Sequence, residues 1–121
     1  MGSIDDGQAT RRQVLGSEHI ERAAAATTDL DRAFQAWITD NIWGDIWGRE
    51  GLDLKTRSMI TIAVLAAMGR EELELHLRAA PNTGVSPEEV GEILLHVAAY
   101  AGAPAANQAF KTAKSIYGPT P

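Results

Sequence analysis

Residues 53–68 read DLKTRSMITIAVLAAM, and this stretch decides the fold. Asp53 is suited to cap the amino end of a helix, and residues 59–68 carry no charged side chain. A helix that is apolar on every side is buried on every side. The apolar segment is about half as long as the roughly 20 residues that cross a bilayer. We therefore predict a central, buried helix in a globular helical domain rather than a membrane span.

The segments on either side of this helix also have a helical pattern. Apolar residues recur with a spacing near 3.6 from Ala9 onward, and no stretch shows the period-two alternation that is typical of strands. The predicted helices cover residues 9–15, 18–26, 30–41, 53–68, 71–80, 87–101 and 104–117. The sequence thus predicts an all-α, single-domain bundle of about six to seven helices. Residues 1–8 are predicted to form a flexible amino-terminal tail, and residues 9–121 one helical domain.

Helix boundaries are marked by capping and turn residues. Gly16 is predicted to end the first helix and Ser17 to cap the second. The run Ser86-Pro87-Glu88-Glu89 is typical of a helix start, with a capping box. Residues 81–84 (PNTG) are predicted to form a turn. Residues 41–51, which hold two Trp and three Gly, are predicted to form a structured loop.

Composition excludes several classes of protein. The chain has 121 residues, of which 45% are hydrophobic and 22% charged, as expected of one globular domain. Its formal net charge is −5 and its basic residues are scattered, which argues against a nucleic-acid partner. It has no cysteine, so disulfides, thiolate metal sites and thiol peroxidase chemistry are excluded. No signal peptide is apparent, and we expect a cytoplasmic protein with no membrane association.

The predicted fourth and sixth helices carry more apolar surface than the inward faces of one small bundle need. Some of this surface is therefore predicted to pack against another subunit. The sequence predicts a homo-oligomer.

His76 is the first candidate for a catalytic residue. It lies on the apolar stripe of the fifth helix with Leu73, Leu77 and Ala80, where an imidazole is costly to desolvate unless it has a partner or a task. We expect the ring to be at least half buried. Glu72, one turn earlier, could orient the ring or raise its pKa. The plainer interpretations are a hydrogen-bonded core histidine and a surface ion pair.

Two arginines could bind an anion. Arg57 lies in the first turn of the fourth helix, where the helix dipole disfavours a cation but where an external anion would meet both the side chain and free backbone amides. Its alternative is an ion pair with Asp53 or Asp45. Arg49, in the loop 41–51, is a second candidate clamp or a solvated surface side chain.

Three further residues could line a pocket. Trp43 and Trp47 are four residues apart and could wall an apolar pocket, although large aromatic residues more often anchor a core. His96, on the sixth helix, is either a second pocket residue or a surface histidine paired with Glu92. A metal site needs three or more converging ligands, and two mid-chain histidines without cysteine make a weak case for one.

Five stretches together resemble one protein family. They are residues 43–49 (WGDIWGR), 51–53 (GLD), 56–58 (TRS), 69–80 (GREELELHLRAA) and 94–107 (LLHVAAYAGAPAAN). The combined pattern resembles the 4-carboxymuconolactone decarboxylases, and the resemblance runs from about Arg11 to Tyr117. These proteins belong to a larger all-helical group that includes alkylhydroperoxidase-D-like proteins. The redox members of that group carry Cys-x-x-Cys followed by His, and here Gly69, Glu72 and His76 occupy those positions.

The resemblance implies an alkylhydroperoxidase-D-like helical fold and a cofactor-free enzyme. The implied reaction is the decarboxylation of 4-carboxymuconolactone to 3-oxoadipate enol-lactone in the protocatechuate branch of the β-ketoadipate pathway. The resemblance also implies a cytoplasmic oligomer, a hexamer built as a trimer of dimers. Two alternatives stay open: a non-catalytic helical oligomer that binds a small acid, and a decarboxylase or isomerase acting on a modified muconolactone.

The mechanism that fits this chemistry assigns a role to each candidate. Arg57 or Arg49 would hold the substrate carboxylate that is not lost, and His76, poised by Glu72, would protonate the dienolate carbon. His96 could donate a hydrogen bond to the lactone carbonyl. The apolar walls around the leaving carboxylate would come from Trp43 and Trp47.

Overall fold

The computed structural model describes residues 4–118, and the regular secondary structure in that range is entirely helical. It contains seven α-helices and one π-helix, and no strand among these residues, which confirms the all-α prediction. The elements are α1 (Ile4–Leu15), α2 (Ser17–Ala26), α3 (Arg32–Trp37), the π-helix (Ile38–Gly44), α4 (Leu54–Met68), α5 (Leu73–Thr83), α6 (Pro87–Ala101) and α7 (Ala103–Tyr117). None of these helices is both long enough and apolar enough to cross a membrane.

The chain divides into two compact units, Met1–Leu54 and Lys55–Pro121, and each is described by itself. In the first unit α1 packs closely against the π-helix. A Cβ atom on Gly7 would overlap the carbonyl of Thr39, so only glycine allows this approach. Val14 and Leu15, near the end of α1, are buried in the same unit.

Several boundaries in the first unit differ from the predictions. Helix α1 begins at Ile4, so residues 4–8, which were assigned to the tail, are helical, and residues 1–3 lie outside the described range. Gly16, at φ +90°, is the N-cap of α2, and Ser17 is its first helical residue and makes no capping hydrogen bond. The prediction of Ser17 as the cap was therefore wrong, because the chain turns at the glycine that ends α1.

The third helix also departs from its prediction. It starts at Arg32 because Asp31 accepts a hydrogen bond from the Thr28 amide, at 2.8 Å, and so closes a turn before the helix. After Trp37 the backbone continues as the π-helix, where a structured loop was predicted from residue 41 onward. The apolar residues Leu30, Phe34 and Trp37 are exposed on this segment.

The core of the second unit is built from all four of its helices. Ile62, Leu77 and Leu94 are fully buried, and each contributes about 1.5–3 kcal/mol of hydrophobic stabilisation. The other buried members of this core are Ala66, Leu73, Ala80, Val85, Val90, Ile93, Val97, Ala109 and Ala113. The stripe predicted on the fifth helix is confirmed, since Leu73, His76, Leu77 and Ala80 are all buried.

Helix α4 is buried on one face only, whereas the sequence predicted burial all round. Ser58, Ile62 and Ala66 are buried, but Ile60 is 47% exposed and Met68 is 57% exposed. The apolar composition of 59–68 therefore exceeds what a single copy of the chain covers.

The predicted start of α6 is confirmed in detail. The Ser86 hydroxyl accepts a hydrogen bond from the Glu89 amide at 3.1 Å, and the Glu89 carboxylate accepts one from the Ser86 amide at 2.9 Å. Glu89 also forms an ion pair with Lys55 at 2.9 Å, which links the beginnings of α4 and α6. The hydrogen bond from the Ser86 amide and then the Lys55 ammonium hold the pKa of Glu89 below its ordinary value.

Helix α5 continues through Pro81 to Thr83, where the sequence predicted a turn. Proline has no amide hydrogen, so the carbonyl of Leu77, four residues earlier, loses its helical donor. The hydroxyl of Tyr117 on α7 donates to that carbonyl at 3.3 Å. A side chain from another helix thus replaces the missing bond and allows the helix to pass through proline.

Candidate active site

His76 lies on the buried face of α5. The residue is 9% exposed, which confirms the predicted burial of the ring. The helix places it there because Leu73, one turn earlier, and Leu77 beside it direct the same face into the core. The backbone amide of His76 donates to the carbonyl of Glu72 at 3.3 Å. A buried imidazole in this position is shielded from bulk water.

Glu72 lies at the N-cap position of α5, and its side chain is exposed. It makes no capping hydrogen bond. Within residues 4–118 its carboxylate has no hydrogen bond to the ring of His76. The orienting role of Glu72 therefore stays a prediction.

Arg57 occupies the first turn of α4 and is half-buried. Its carbonyl accepts a hydrogen bond from the Thr61 hydroxyl at 2.8 Å, and the adjacent Ser58 is buried. Lys55, the other cation of this turn, is engaged with Glu89. Arg57 is thus the arginine that α4 contributes near the protein interior.

His96 is exposed on α6 and stacks on Tyr100, with ring centroids 5.0 Å apart and an interplanar angle of 29°. Both rings line a hollow of about 590 Å³ between α4 and α6. The rest of the lining of this hollow is almost wholly apolar and includes Met59, Ile60 and Val97. Of the two interpretations left open by the sequence, the pocket position is the one observed, and no ion pair with Glu92 is found in the described part of the chain.

Trp43 and Trp47 are both buried in the first unit, with ring centroids 4.8 Å apart and tilted by 31°. Trp43 belongs to the π-helix, and the amide of Trp47 donates to the carbonyl of Ile42, five residues earlier, at 2.9 Å. They are therefore core anchors of this unit. Their role as walls of a substrate pocket stays a prediction.

The π-helix was missed by the sequence analysis. Such helices are rare and occur frequently at functional sites. No residue pattern predicts a π-helix, because packing sets the extra residue per turn. In this protein the π-helix lies where Gly7 approaches the backbone of Thr39 closely. The cluster of Trp and Gly was the available signal, and it marked the segment as unusual without giving its conformation.

Arg49 is exposed and lines a hollow of about 670 Å³ between α1 and the turn after the π-helix. Asp6, Thr10 and Asp45 line the same hollow. The position is accessible to an anion in solvent, although two carboxylates share it. The clamp role of Arg49 stays a prediction.

The candidates are thus divided between the two units. The first unit brings Trp43 and Trp47 into contact, and the second carries Arg57, Glu72, His76 and His96. A cavity common to Arg57 and His76 stays a prediction. Among residues 4–118 no group of three or more His, Cys, Asp or Glu side chains is placed to hold a metal ion.

Comparison with known proteins gives a clear relationship. Residues 32–115 match the family described as "Carboxymuconolactone decarboxylase family". The chain belongs to the carboxymuconolactone decarboxylase family. All seven candidate site residues lie inside the matched range, whereas α1 and α2 precede it.

Two curated proteins that are similar to this chain have named activities. The chain is 45% identical to the 4-carboxymuconolactone decarboxylase of Acinetobacter baylyi over 92% of its own length and 84% of that protein. It is 42% identical to nitrosuccinic acid decarboxylase npaB of Metarhizium robertsii over 88% of its own length and 75% of that protein. Both named activities are decarboxylations, and they concern different acids.

Proposed function

We propose that this protein is a carboxy-lyase that converts 4-carboxymuconolactone to 3-oxoadipate enol-lactone and CO2, a step of the protocatechuate branch of the β-ketoadipate pathway. The observation that carries the proposal is the 45% identity to the Acinetobacter baylyi decarboxylase over 92% of the chain. The resemblance in the five sequence stretches agrees with it.

The chemistry explains what the protein must supply. When the ring carboxylate leaves as CO2, its bonding electrons move through the double bond to the lactone carbonyl and give a dienolate. The substrate is therefore its own electron sink, and the reaction can proceed without a cofactor. The protein has to position the dianion, stabilise the developing oxyanion and deliver a proton to carbon.

His76 is our proposed proton donor. Its support is its burial, because a shielded imidazole can transfer a proton to carbon without competition from bulk water. Glu72 is proposed to orient the ring. This role requires the exposed Glu72 side chain to turn toward His76 when substrate is bound.

Arg57 is our proposed anchor for the acetate carboxylate of the substrate, with Arg49 as the alternative. The support for Arg57 is its half-buried position. A guanidinium attracts a carboxylate more strongly in such surroundings than in bulk water, because the effective dielectric constant is lower. His96 is proposed to donate a hydrogen bond to the lactone carbonyl. Trp43 and Trp47 are proposed as apolar walls.

A second candidate substrate has a specific observation in its favour. The relative named nitrosuccinic acid decarboxylase is 42% identical to this chain. Loss of a carboxylate beside a nitro group leaves a nitronate, whose charge also moves onto oxygen. The protein therefore has the same three tasks in both reactions. It must bind a dicarboxylate, stabilise the developing oxyanion and deliver a proton to carbon.

An ultraviolet assay separates these possibilities. The purified protein is mixed with 4-carboxymuconolactone, and the shift of the ring double bond is followed together with CO2 release; nitrosuccinic acid is assayed in parallel. Faster turnover of the lactone supports the proposal, and faster turnover of the nitro acid supports the second candidate. Turnover only of a methylated or otherwise altered lactone would point to the modified-substrate alternative. Binding of the lactone without turnover would contradict the enzymatic proposal and favour the acid-binding alternative.

We also propose that the protein is a cytoplasmic homo-oligomer, a hexamer built as a trimer of dimers. The support for association is the apolar surface that one copy leaves open: Ile60 and Val64 on α4 are each 47% exposed, and Leu95 on α6 is 59% exposed. The hexameric state and the location are proposed from the family resemblance. Burying such a surface between copies removes it from water. Light scattering at micromolar concentration tests this, and a monomer would contradict it.

A further inference from the structure

A second hollow lies in the first unit, between α1, α2 and α3. It has a volume of about 710 Å³, and its apolar walls are Ile20 on α2 and alanines on all three helices. Three arginines line it, Arg11, Arg12 and Arg32, and none of its lining residues is acidic. The hollow is therefore positively charged with small apolar walls.

Arg11 is the half-buried cation of this hollow. Its two terminal nitrogens donate to the Thr39 hydroxyl and to the Gln35 side-chain oxygen, both at 3.5 Å, which is long for a hydrogen bond between neutral acceptors and a guanidinium. Its Nε atom is buried and has no hydrogen-bond partner within residues 4–118. Burial lowers the pKa of Arg11, and no carboxylate acts on it in the opposite direction.

The neighbouring charges do not balance Arg11. Arg22 is paired with Glu18 at 2.9 Å, and Arg32 is paired with Asp29, so these two carboxylates are already engaged. The pKa of His19 is lowered, first by its own burial and then by Arg11 and Arg22, which shows that the surroundings are positive. A half-buried guanidinium without a counter-ion is costly, and an anion from solution would reduce that cost.

We propose that this hollow binds a small organic carboxylate, with Arg11 as the anchor of the carboxylate group. Each terminal nitrogen of the planar guanidinium carries two N–H groups, so one on each remains beside its bond to Thr39 or Gln35, and such a pair of donors matches the two carboxylate oxygens. The alanine and isoleucine walls suit the apolar body of an organic acid better than the fully hydrated surface of inorganic phosphate. Gln35 and Thr39, which also line the hollow, accept hydrogen bonds from the Arg11 side chain and hold it there.

This site is separate from the proposed decarboxylase activity. None of its residues is a candidate catalytic or substrate-binding residue, and Arg11 precedes the range that matches the family. Loss of carboxylate binding here would leave the decarboxylation proposal untouched, and an inactive enzyme would leave this site untouched.

The test is a titration of the full-length, 15N-labelled protein with sodium butyrate at constant ionic strength. Binding is monitored through the NMR signals of the arginine Nε–H groups. We expect a saturable shift of the Arg11 signal. In Arg11→Gln the affinity should fall about tenfold or more, as judged by the backbone amides of Gln35 and Thr39. Arg22→Gln, which removes an exposed arginine outside the hollow, should bind butyrate like the wild type.

Three results would overturn the proposal. The first is the lack of a saturable Arg11 shift in the wild type up to about 50 mM butyrate. The second is equal binding by Arg11→Gln and the wild type. The third is phosphate binding that is as tight as butyrate binding, since it would mean that the apolar walls play no part. If Arg11→Gln fails to fold, the wild-type titration and the phosphate comparison decide the matter.

Discussion

The hydrogen bond from the Tyr117 hydroxyl to the Leu77 carbonyl, which replaces the bond lost at Pro81, allows a quantitative prediction. Tyr117→Phe removes the hydroxyl that donates to the carbonyl of Leu77, a residue that is fully buried. A buried carbonyl left without its donor costs about 1–3 kcal/mol. Because the bond is long, at 3.3 Å, we expect a loss near the lower end, about 1 kcal/mol in the free energy of unfolding.

Pro81→Ala gives the matching test, because alanine restores the amide that normally donates to the Leu77 carbonyl. In that background Tyr117→Phe should cost less than about 0.5 kcal/mol, so the two changes should be coupled by about 0.5–1 kcal/mol. The assay is urea unfolding of the four variants at one protein concentration. Tyr100→Phe, which removes the hydroxyl of an 83% exposed tyrosine, is the control and should be nearly neutral. Equal costs of Tyr117→Phe in both backgrounds would refute the reasoning.

Three further predictions concern stability. Because the Ser86 amide and Lys55 lower the pKa of Glu89 in the folded protein, its contribution to stability is complete above the unfolded pKa and is lost as pH falls through the folded pKa. Glu89→Gln should therefore flatten the acid side of the stability profile in urea unfolding; Glu88→Gln, which removes the neighbouring carboxylate outside the capping box, is the control. Gly7→Ala should lower the melting temperature, because the added Cβ overlaps the carbonyl of Thr39 and costs about 1–3 kcal/mol. Gly91→Ala, in open space inside α6, should raise stability by about 0.5–1 kcal/mol, and a loss there would contradict the helix-propensity argument.

The sequence predicted best where the determinants are local. The capping box of Ser86 and Glu89 involves residues three apart, and the stripe that buries His76 follows from helical spacing alone. Both were confirmed. The cap of α2 was wrongly assigned, because the glycine turn at Gly16 takes the capping position beside Ser17. The start of α1 was predicted at residue 9, whereas the helix begins at Ile4.

The sequence failed where contacts between distant residues decide the structure. The passage of α5 through Pro81 depends on Tyr117, which lies 40 residues away from the carbonyl it serves. The π-helix and the uncompensated charge of Arg11 also arise from packing between helices, and neither has a residue pattern of its own. For the active site, the sequence predicted which residues to consider and the burial of His76, but it could not give the contacts of Glu72.

The central claim is that the buried imidazole of His76 delivers the proton during decarboxylation, and one measurement tests it most directly. The kcat of His76→Ala for 4-carboxymuconolactone is compared with that of the wild type, after circular dichroism has shown that the fold is intact; His19→Ala is the control histidine. We expect His76→Ala to lower kcat by about 10²-fold or more and His19→Ala to leave it unchanged. A kcat of His76→Ala equal to that of the wild type would contradict the claim.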